Sequence, residues 1–266
     1  MLTALVLGGV VGLILALTGA GGGILAVPLL VFGAGDTVAE AGPVGLMAVG
    51  MAATLGSVLG LRAGNVRYRA ALLIAATGML LSPAGLWVAR QIDARWLSVL
   101  FALVLLYVAL KTFRQGAAKG AAGGGPDGSD AVCRRDADTW RFIWTRPCAL
   151  AMALSGGLAG LLSGLLGVGG GFVMVPALQR YTDLPMKSAV ATSLAVIAMI
   201  SLAGVAATAA SGRMDWGMAL PFSAGALAGM LGGRSLAARL AGPQLQKGFA
   251  AVSALVALAM IVKALS

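Results

Sequence analysis

The sequence lacks histidine altogether and has only two cysteines among its 266 residues, of which only 11% are charged. The absence of histidine and of closely spaced cysteines excludes the usual zinc-binding patterns, and we expect neither a metal nor a cofactor. Cys133 and Cys148 have no CxxC spacing, so we expect two free thiols rather than a disulfide framework. A soluble globular domain of this size would carry far more charge.

Apolar residues are abundant instead: 59% of the chain is hydrophobic, and the mean hydropathy is +0.96. Apolar runs of about 18 to 25 residues recur, which is the length that crosses a bilayer core as a helix. The net charge of +10 lies mostly in loops, where it orients helices in the membrane, so nucleic acid is not an expected partner. The composition therefore predicts an all-α integral membrane protein.

The chain repeats itself at a shift of 148 residues, with 12 identities over the 23 positions from Gly8 to Leu30. The repeated stretch includes TGAGGGILAVP at 18–28 and LGVGGGFVMVP at 166–176. Internal repeats are typical of membrane transporter folds. The sequence thus divides into a first transmembrane repeat at 1–114, a low-complexity linker at 115–146 and a second transmembrane repeat at 147–266.

Each half is predicted to contain three membrane spans and one longer leading segment. The leading segments, 2–33 and 149–180, are too long for one span and are interrupted by the glycines, so each is either a kinked crossing or a hairpin that enters and returns. Because the first segment has no preceding Lys or Arg and recurs internally, we expect it to be structural rather than a signal peptide. The predicted spans are 41–61, 70–89 and 96–113 in the first half, and 188–210, 217–233 and 245–262 in the second.

Loop charge favours the hairpin. If both leading segments return, one face carries 15 of the 19 basic residues, whereas full crossings give 12 against 7. The positive-inside rule then predicts a cytoplasmic linker and periplasmic termini. A returning hairpin plus three spans is an odd number of crossings, so the predicted fold is two inverted repeats, each a re-entrant hairpin followed by three transmembrane helices.

The glycine breaks are the candidate functional site. Irregular backbone at membrane depth is tolerated only where protein or a water-filled cavity surrounds it. Helices that restart near Ile24 and Phe172 have unpaired amides and a positive dipole end, which together favour an anion. The predicted substrate-binding glycines are Gly19, Gly21, Gly22, Gly23, Gly167, Gly169, Gly170 and Gly171, with Pro28 and Pro176 completing the motif.

A second interpretation is that these glycines only allow close helix packing. We assign that packing role to the glycines with GxxxG spacing elsewhere in the chain. Those are Gly8/Gly12, Gly56/Gly60/Gly64, Gly156/Gly160/Gly164 and Gly225/Gly229.

Two hydroxyls extend the predicted site. Thr192 and Ser193 lie one turn inside the span that follows the second glycine break, where they either donate to an anion or bond back to their own helix. The first half has Val44 and Gly45 at the equivalent positions. No ionisable residue lies deep in any predicted span, which argues against a metal-ion carrier and a buried proton shuttle.

These residues resemble a known family. The paired G-x-G-G-G-x4-P segments, the ATSLAVI stretch at 191–197 and the GRMDW turn at 212–216 are similar to those of the TauE/SafE sulfite and organosulfur-anion exporters. The resemblance implies a permease of the bacterial inner membrane for small sulfur oxyanions or sulfonates, such as sulfite or sulfoacetate. Val44 and Gly45 stand where the family pattern predicts Thr-Ser.

The expected function is therefore export of a small sulfur-containing anion by alternating access. An anion channel and a non-transporting membrane scaffold are the alternatives. An enzyme is not expected, because the spans contain neither a nucleophile with a base nor a metal-ligand cluster. The expected partners are a small anionic substrate and the lipid bilayer. A homo-oligomer, with a second copy of the chain as partner, is compatible with the sequence.

Overall fold

The computed structural model describes residues 2–18, 22–35, 37–121, 133, 145–168, 170–182, 184–212, 214–240 and 243–265. Within them the all-helical class predicted from the sequence is confirmed. The helices of the first half are α1 (Leu2–Thr18), α2 (Gly22–Gly33), α3 (Val38–Arg62), α4 (Tyr68–Gln91) and α5 (Ala94–Ala121). Those of the second half are α6 (Arg146–Leu166), α7 (Gly171–Tyr181), α8 (Met186–Ala210), α9 (Trp216–Leu240) and α10 (Pro243–Leu265).

The helix boundaries repeat at the shift found in the sequence. Helices α3 and α8 start at residues 38 and 186 and end at 62 and 210, so both boundaries are 148 residues apart. Helices α4 and α9, which start at 68 and 216, show the same separation. Helix α5 continues to Ala121, so residues 115–121, which the sequence assigned to the linker, are helical.

Local sequence explains several helix ends. Thr37 and Glu40 form a capping box at the start of α3, in which each side chain bonds to the other residue's backbone N–H. The ends of α3 and α8 are followed by Gly64 and Gly212, with φ of +69° and +67°. Left-handed backbone of this kind favours glycine and terminates a helix.

Glycines line two parallel helix pairs. Gly8 and Gly12 of α1 lie against the backbone of Phe222 and Ala226 in α9. Gly156 and Gly160 of α6 lie in the same way against Ile74 and Gly78 in α4. Because a Cβ at these positions would overlap a neighbouring carbonyl, the glycines set the distance between the helices. The packing role predicted for them is confirmed; the one predicted for Gly64 is wrong, because that residue caps α3 and a Cβ there would meet nothing within 4 Å.

The equivalent helices α3 and α8 pack against each other in opposite directions. Gly204 of α8 faces Leu46 of α3, whereas Ala191, near the start of α8, faces Gly60, near the end of α3. Between these points Gly50 lies against Ser201: a Cβ built on Gly50 would be 2.8 Å from the Ser201 Cβ. This antiparallel pair lies in the middle of the helical assembly, with α4 and α9 beside it.

Four helices of the described part of the chain are long and apolar enough to cross a membrane. Three of them correspond to predicted spans, and the fourth, Arg146–Leu166, is the first part of the second leading segment. Large apolar side chains such as Leu80, Leu202 and Leu255, which are 76%, 72% and 69% exposed, point outward. An apolar outer surface of this kind suits a lipid environment.

The prediction of two free cysteines is wrong. Cys133 and Cys148 form a disulfide, and both side chains are fully buried. Cys133 approaches the second half through its backbone, donating its N–H to the Tyr181 carbonyl at 2.9 Å and pairing with Thr182 in an isolated bridge. Cys133 thus lies against the start of α6 and the end of α7, a contact that cysteine spacing alone does not reveal.

Candidate functional site

Each leading segment consists of two helices that fold back on each other around the glycine break. In the first, Gly33 at the end of α2 lies against the Leu7 side chain near the start of α1, 2.5 Å from a Cβ built on the glycine. In the second, Cys133 contacts both ends of the segment. Its disulfide joins it to Cys148 at the start of α6, and its N–H bonds to the Tyr181 carbonyl at the end of α7. The glycine segments 19–23 and 167–171, which separate the two helices in each case, are called the first and second tips.

The second tip is built on left-handed glycines. Gly167 ends α6 with φ of +69° and donates its N–H to the Ser163 carbonyl at 2.8 Å. Gly170 precedes α7 with φ of +64°, and no side chain caps the helix there. Because L-residues rarely adopt these angles, the sequence needs glycine at both positions. Gly171 then starts α7. The Val173 N–H donates to the Gly170 carbonyl at 3.2 Å, whereas the amides before it precede the first intrahelical bonds.

The two tips meet inside the protein. A Cβ on Gly23 of the first tip would lie 3.1 Å from the Val168 carbonyl oxygen of the second tip and 3.1 Å from Val49 Cγ1 of α3. The second tip also rests on α3, because a Cβ on Gly42 would lie 3.5 Å from the Gly167 Cα. The structure therefore brings together the predicted residues Gly23, Gly167, Gly170 and Gly171. Gly22 starts α2, and Gly19, Gly21 and Gly169 lie outside the described residues.

The surroundings of the tips are apolar. Ile24 and Val168 are 1% and 2% exposed, and Gly23 and Gly170 are buried. Across the described residues, the polar side chains that are buried are all serine or threonine. Polar contacts to a substrate at the tips would therefore come from backbone groups and hydroxyls.

The two prolines lie inside the helices that start at the tips. Pro28 is buried in α2, and Pro176 occupies a similar place within Gly171–Tyr181. Proline has no N–H, so each removes the bond that the carbonyl four residues earlier would otherwise accept. The carbonyls concerned belong to Ile24 and Phe172, in the first turns of α2 and α7.

Thr192 and Ser193 are fully buried on α8. The Thr192 hydroxyl accepts the Arg67 backbone N–H at 3.1 Å, which attaches the loop between α3 and α4 to α8. The Ser193 hydroxyl donates to the Val190 carbonyl of its own helix at 2.8 Å. Both hydroxyls therefore have structural bonds, and their part in substrate binding stays a prediction.

Four buried hydroxyls without a partner were not found by sequence reasoning. They belong to the second half, on α6, α8, α9 and α10, and the equivalent positions of the first half hold Leu15, Ala53, Ala75 and Leu105. A comparison of the two halves therefore contains the signal, since serine replaces an apolar residue in each case. The four residues are Ser163, Ser201, Ser223 and Ser253.

Comparison with known proteins gives a consistent result. The family model described as "Sulfite exporter TauE/SafE" matches residues 4–260. A probable membrane transporter protein of Xylella fastidiosa (strain 9a5c) is 32% identical over 234 residues, which cover 87% of this chain and 83% of the relative. The probable membrane transporter protein YunE of Bacillus subtilis (strain 168) is 28% identical over 232 residues, covering 83% and 82%. No solved structure matches the chain significantly.

Proposed function

The chain belongs to the TauE/SafE sulfite exporter family, and from this premise we propose that it exports a small sulfur-containing anion, sulfite or an organosulfonate such as sulfoacetate. The relatives are named as membrane transporters, which supports transport rather than catalysis. The single observation that carries the proposal is the meeting of the two glycine tips beside α3, at Gly23 and Val168.

The tips are suited to an anion. Helices α2 and α7 both start at a tip, and the N-terminus of a helix combines unpaired amides with a positive dipole end. In an apolar environment these groups attract an oxyanion strongly, because water does not screen them. Glycine adds no Cβ that would stand between these amides and an anion.

We further propose that the two halves are inverted repeats and that the leading segments are re-entrant hairpins. Three packing directions support this: α3 runs antiparallel to its repeat partner α8, α1 runs parallel to α9, and α4 runs parallel to α6. Together these directions are consistent with both termini on one face and the linker on the other. The predicted distribution of basic loops assigns the linker face to the cytoplasm of a bacterial inner membrane.

Transport would follow from rocking of one repeat against the other around the tips, which exposes the site to each side in turn. With the cell interior negative, the membrane potential favours exit of an anion by about 2.3 kcal/mol per charge per 100 mV. Export of sulfite therefore needs no coupling ion.

The test is sulfite flux in proteoliposomes that contain the purified full chain, with sodium sulfite inside and a potential negative inside. We expect potential-driven efflux, and an initial rate about tenfold or more lower for Gly23→Ala, because the added Cβ enters the contact between the tips. Gly248→Ala is the matched control, since a Cβ there meets nothing within 4 Å. Absence of flux with the wild-type chain would overturn the proposal, and single-channel currents in a planar bilayer would favour the channel alternative.

A further inference from the structure

Side-chain hydroxyls in these helices usually donate a hydrogen bond to a carbonyl of their own helix. Thr54, Thr208 and Ser155 donate to the carbonyls four residues earlier, at 2.8, 3.0 and 2.7 Å. This bond removes the cost of a buried polar group in an apolar helix. Ser163 on α6 differs, because its side chain is 1% exposed and its hydroxyl has no partner.

Ser163 lies on the face of α6 that meets the second tip. Its carbonyl accepts the Gly167 N–H at 2.8 Å. One turn earlier, Ala159 lies against Gly170, with the Ala159 Cβ 3.2 Å from a Cβ built on that glycine. Residues four apart share one face of a helix. Because Ala159 contacts Gly170 and the Ser163 carbonyl accepts from Gly167, Ser163 lies beside the second tip.

The general tilt of side chains on a helix directs the Ser163 hydroxyl towards the start of α7. Side chains lean towards the N-terminus of their own helix, so Ser163 leans towards the level of Ala159, where Gly170 lies. Gly170 is the N-cap of α7, a helix of 11 residues without a side-chain cap. The buried donor hydroxyl and the start of α7 therefore lie on the same side of α6. In the first turn of α7 the Val173 N–H bonds to the Gly170 carbonyl at 3.2 Å, and the amides before it precede the first intrahelical bonds. The buried polar side chains among the described residues are all uncharged.

We propose that the Ser163 hydroxyl donates a hydrogen bond to an oxygen of the anion held at the second tip, and so helps to select oxyanions with a sulfite or sulfonate group. This inference rests on the proposed function. An oxygen acceptor satisfies the hydroxyl and the amides together, whereas an anion without oxygen accepts a hydroxyl less well. The first hairpin has the fully buried Leu15 at the equivalent position. The second tip should therefore bind the anion more tightly than the first.

The experiment measures sulfite binding to the purified full chain by isothermal titration calorimetry. We expect Ser163→Ala to raise the Kd for sulfite about tenfold or more, which is typical for the loss of a hydrogen bond to a charged group. Ser253→Ala is the matched control: Ser253 is also fully buried and unpartnered, but lies on α10. We expect its Kd to stay within about twofold of the wild-type value.

A thermal melt without sulfite separates binding from structure. If the hydroxyl is held ready for the anion, its removal leaves the ligand-free Tm unchanged or raises it, because an unsatisfied buried donor is lost. Ser163→Cys, whose side chain is slightly larger and whose thiol donates only weakly, should lose sulfite affinity in the same way. A lower ligand-free Tm for Ser163→Ala, or unchanged sulfite affinity in either variant, would overturn the role of Ser163 alone. No sulfite binding by the wild-type chain and by Ser253→Ala would instead overturn the proposed function.

Discussion

Glycine serves two structural purposes at the residue scale. At Gly167 and Gly170 it allows a left-handed backbone, with φ of +69° and +64°. At Gly156 and Gly160 it allows two helices to approach until backbone touches backbone. The spacing of four residues in the sequence predicts the second use, and the run of glycines before a proline predicts the first.

The close approach of α4 and α6 yields a stability prediction. A Cβ on Gly160 would overlap the Gly78 backbone, so Gly160→Ala must separate the two helices. We expect it to lower the free energy of unfolding by about 1 to 3 kcal/mol, the usual cost of overpacking. The measurement is the detergent-solubilised Tm, followed by circular dichroism.

The matched substitution is Gly248→Ala on α10, where a Cβ meets nothing within 4 Å. Alanine is the better helix former by about 1 kcal/mol, so this variant should be as stable as the wild type or slightly more stable. If Gly160→Ala melted at the same temperature as Gly248→Ala, the backbone contact between α4 and α6 would be refuted.

Hydroxyl roles were only partly predictable from the sequence. The sequence selected Thr192 and Ser193 because they follow the second tip along the chain. Ser193 makes the bond within its own helix that was one of the two predicted alternatives, whereas the bond between Thr192 and Arg67 depends on tertiary packing. Ser163 lies between leucine and glycine in an apolar stretch, where the first half has Leu15. Its lack of a bonding partner, which three other buried serines share, is seen only in the structure. Whether a buried hydroxyl is satisfied depends on its rotamer and its neighbours, which the sequence does not specify.

At the scale of helices, the length of the apolar runs predicted most boundaries to within a few residues. The cap at Gly64, which recurs 148 residues later at Gly212, was not predicted, because Gly64 also has GxxxG spacing. The disulfide was not predictable, because nothing in the sequence near Cys133 indicates that this residue lies against α6 and α7. Its partner Cys148 lies in the first turn of α6, where Thr145 caps the helix.

The disulfide predicts that a reducing agent destabilises the oxidised protein. It closes a loop with a sequence separation of 15, for which restriction of the unfolded chain contributes about 3 kcal/mol. We expect the Tm of the purified chain to fall when reductant is added, and Cys133→Ser to show the lower Tm under both conditions. Because disulfides are rare in the reducing cytosol, the experiment should begin with protein whose oxidation state mass spectrometry has established.

The control is the addition of reductant to Cys133→Ser. Its Tm should not change, since the chain has only two cysteines and the variant cannot form the disulfide. Two free thiols in protein purified without reductant and then exposed to an oxidant would contradict the bond. An unchanged Tm on reduction of a bond shown to be present would contradict its contribution to stability.

At the scale of the whole molecule, the helical class and the duplication could be predicted because both follow from patterns that extend over the entire chain. Apolar length determines which helices suit a bilayer, and four of them meet that condition within the described residues. The meeting of the two tips could not be derived in detail, because Gly23 and Val168 are brought together by the way each hairpin packs on α3. Helix periodicity contains no information about that contact.

The proposed inversion of the two halves can be tested at one pair of equivalent residues. Ala63 follows α3 and Ser211 follows α8, 148 residues later, with nearly identical backbone angles of −83°, 1° and −84°, 2°. Both residues are exposed, so each can be replaced by cysteine in a Cys133→Ser/Cys148→Ser background. Inverted repeats require that these two equivalent residues face opposite sides of the membrane.

We expect a membrane-impermeant maleimide to label Ser211→Cys in intact cells and Ala63→Cys only after the cells are permeabilised, since the basic loops should face the cytoplasm. Because the two positions share their local backbone, a difference in labelling reflects the side of the membrane rather than local accessibility. Labelling of both positions from the same side would contradict the inverted repeat. Labelling of Ala63→Cys alone from outside would retain the inversion and reverse the assignment of the faces, which would place the Cys133–Cys148 disulfide in the oxidising periplasm.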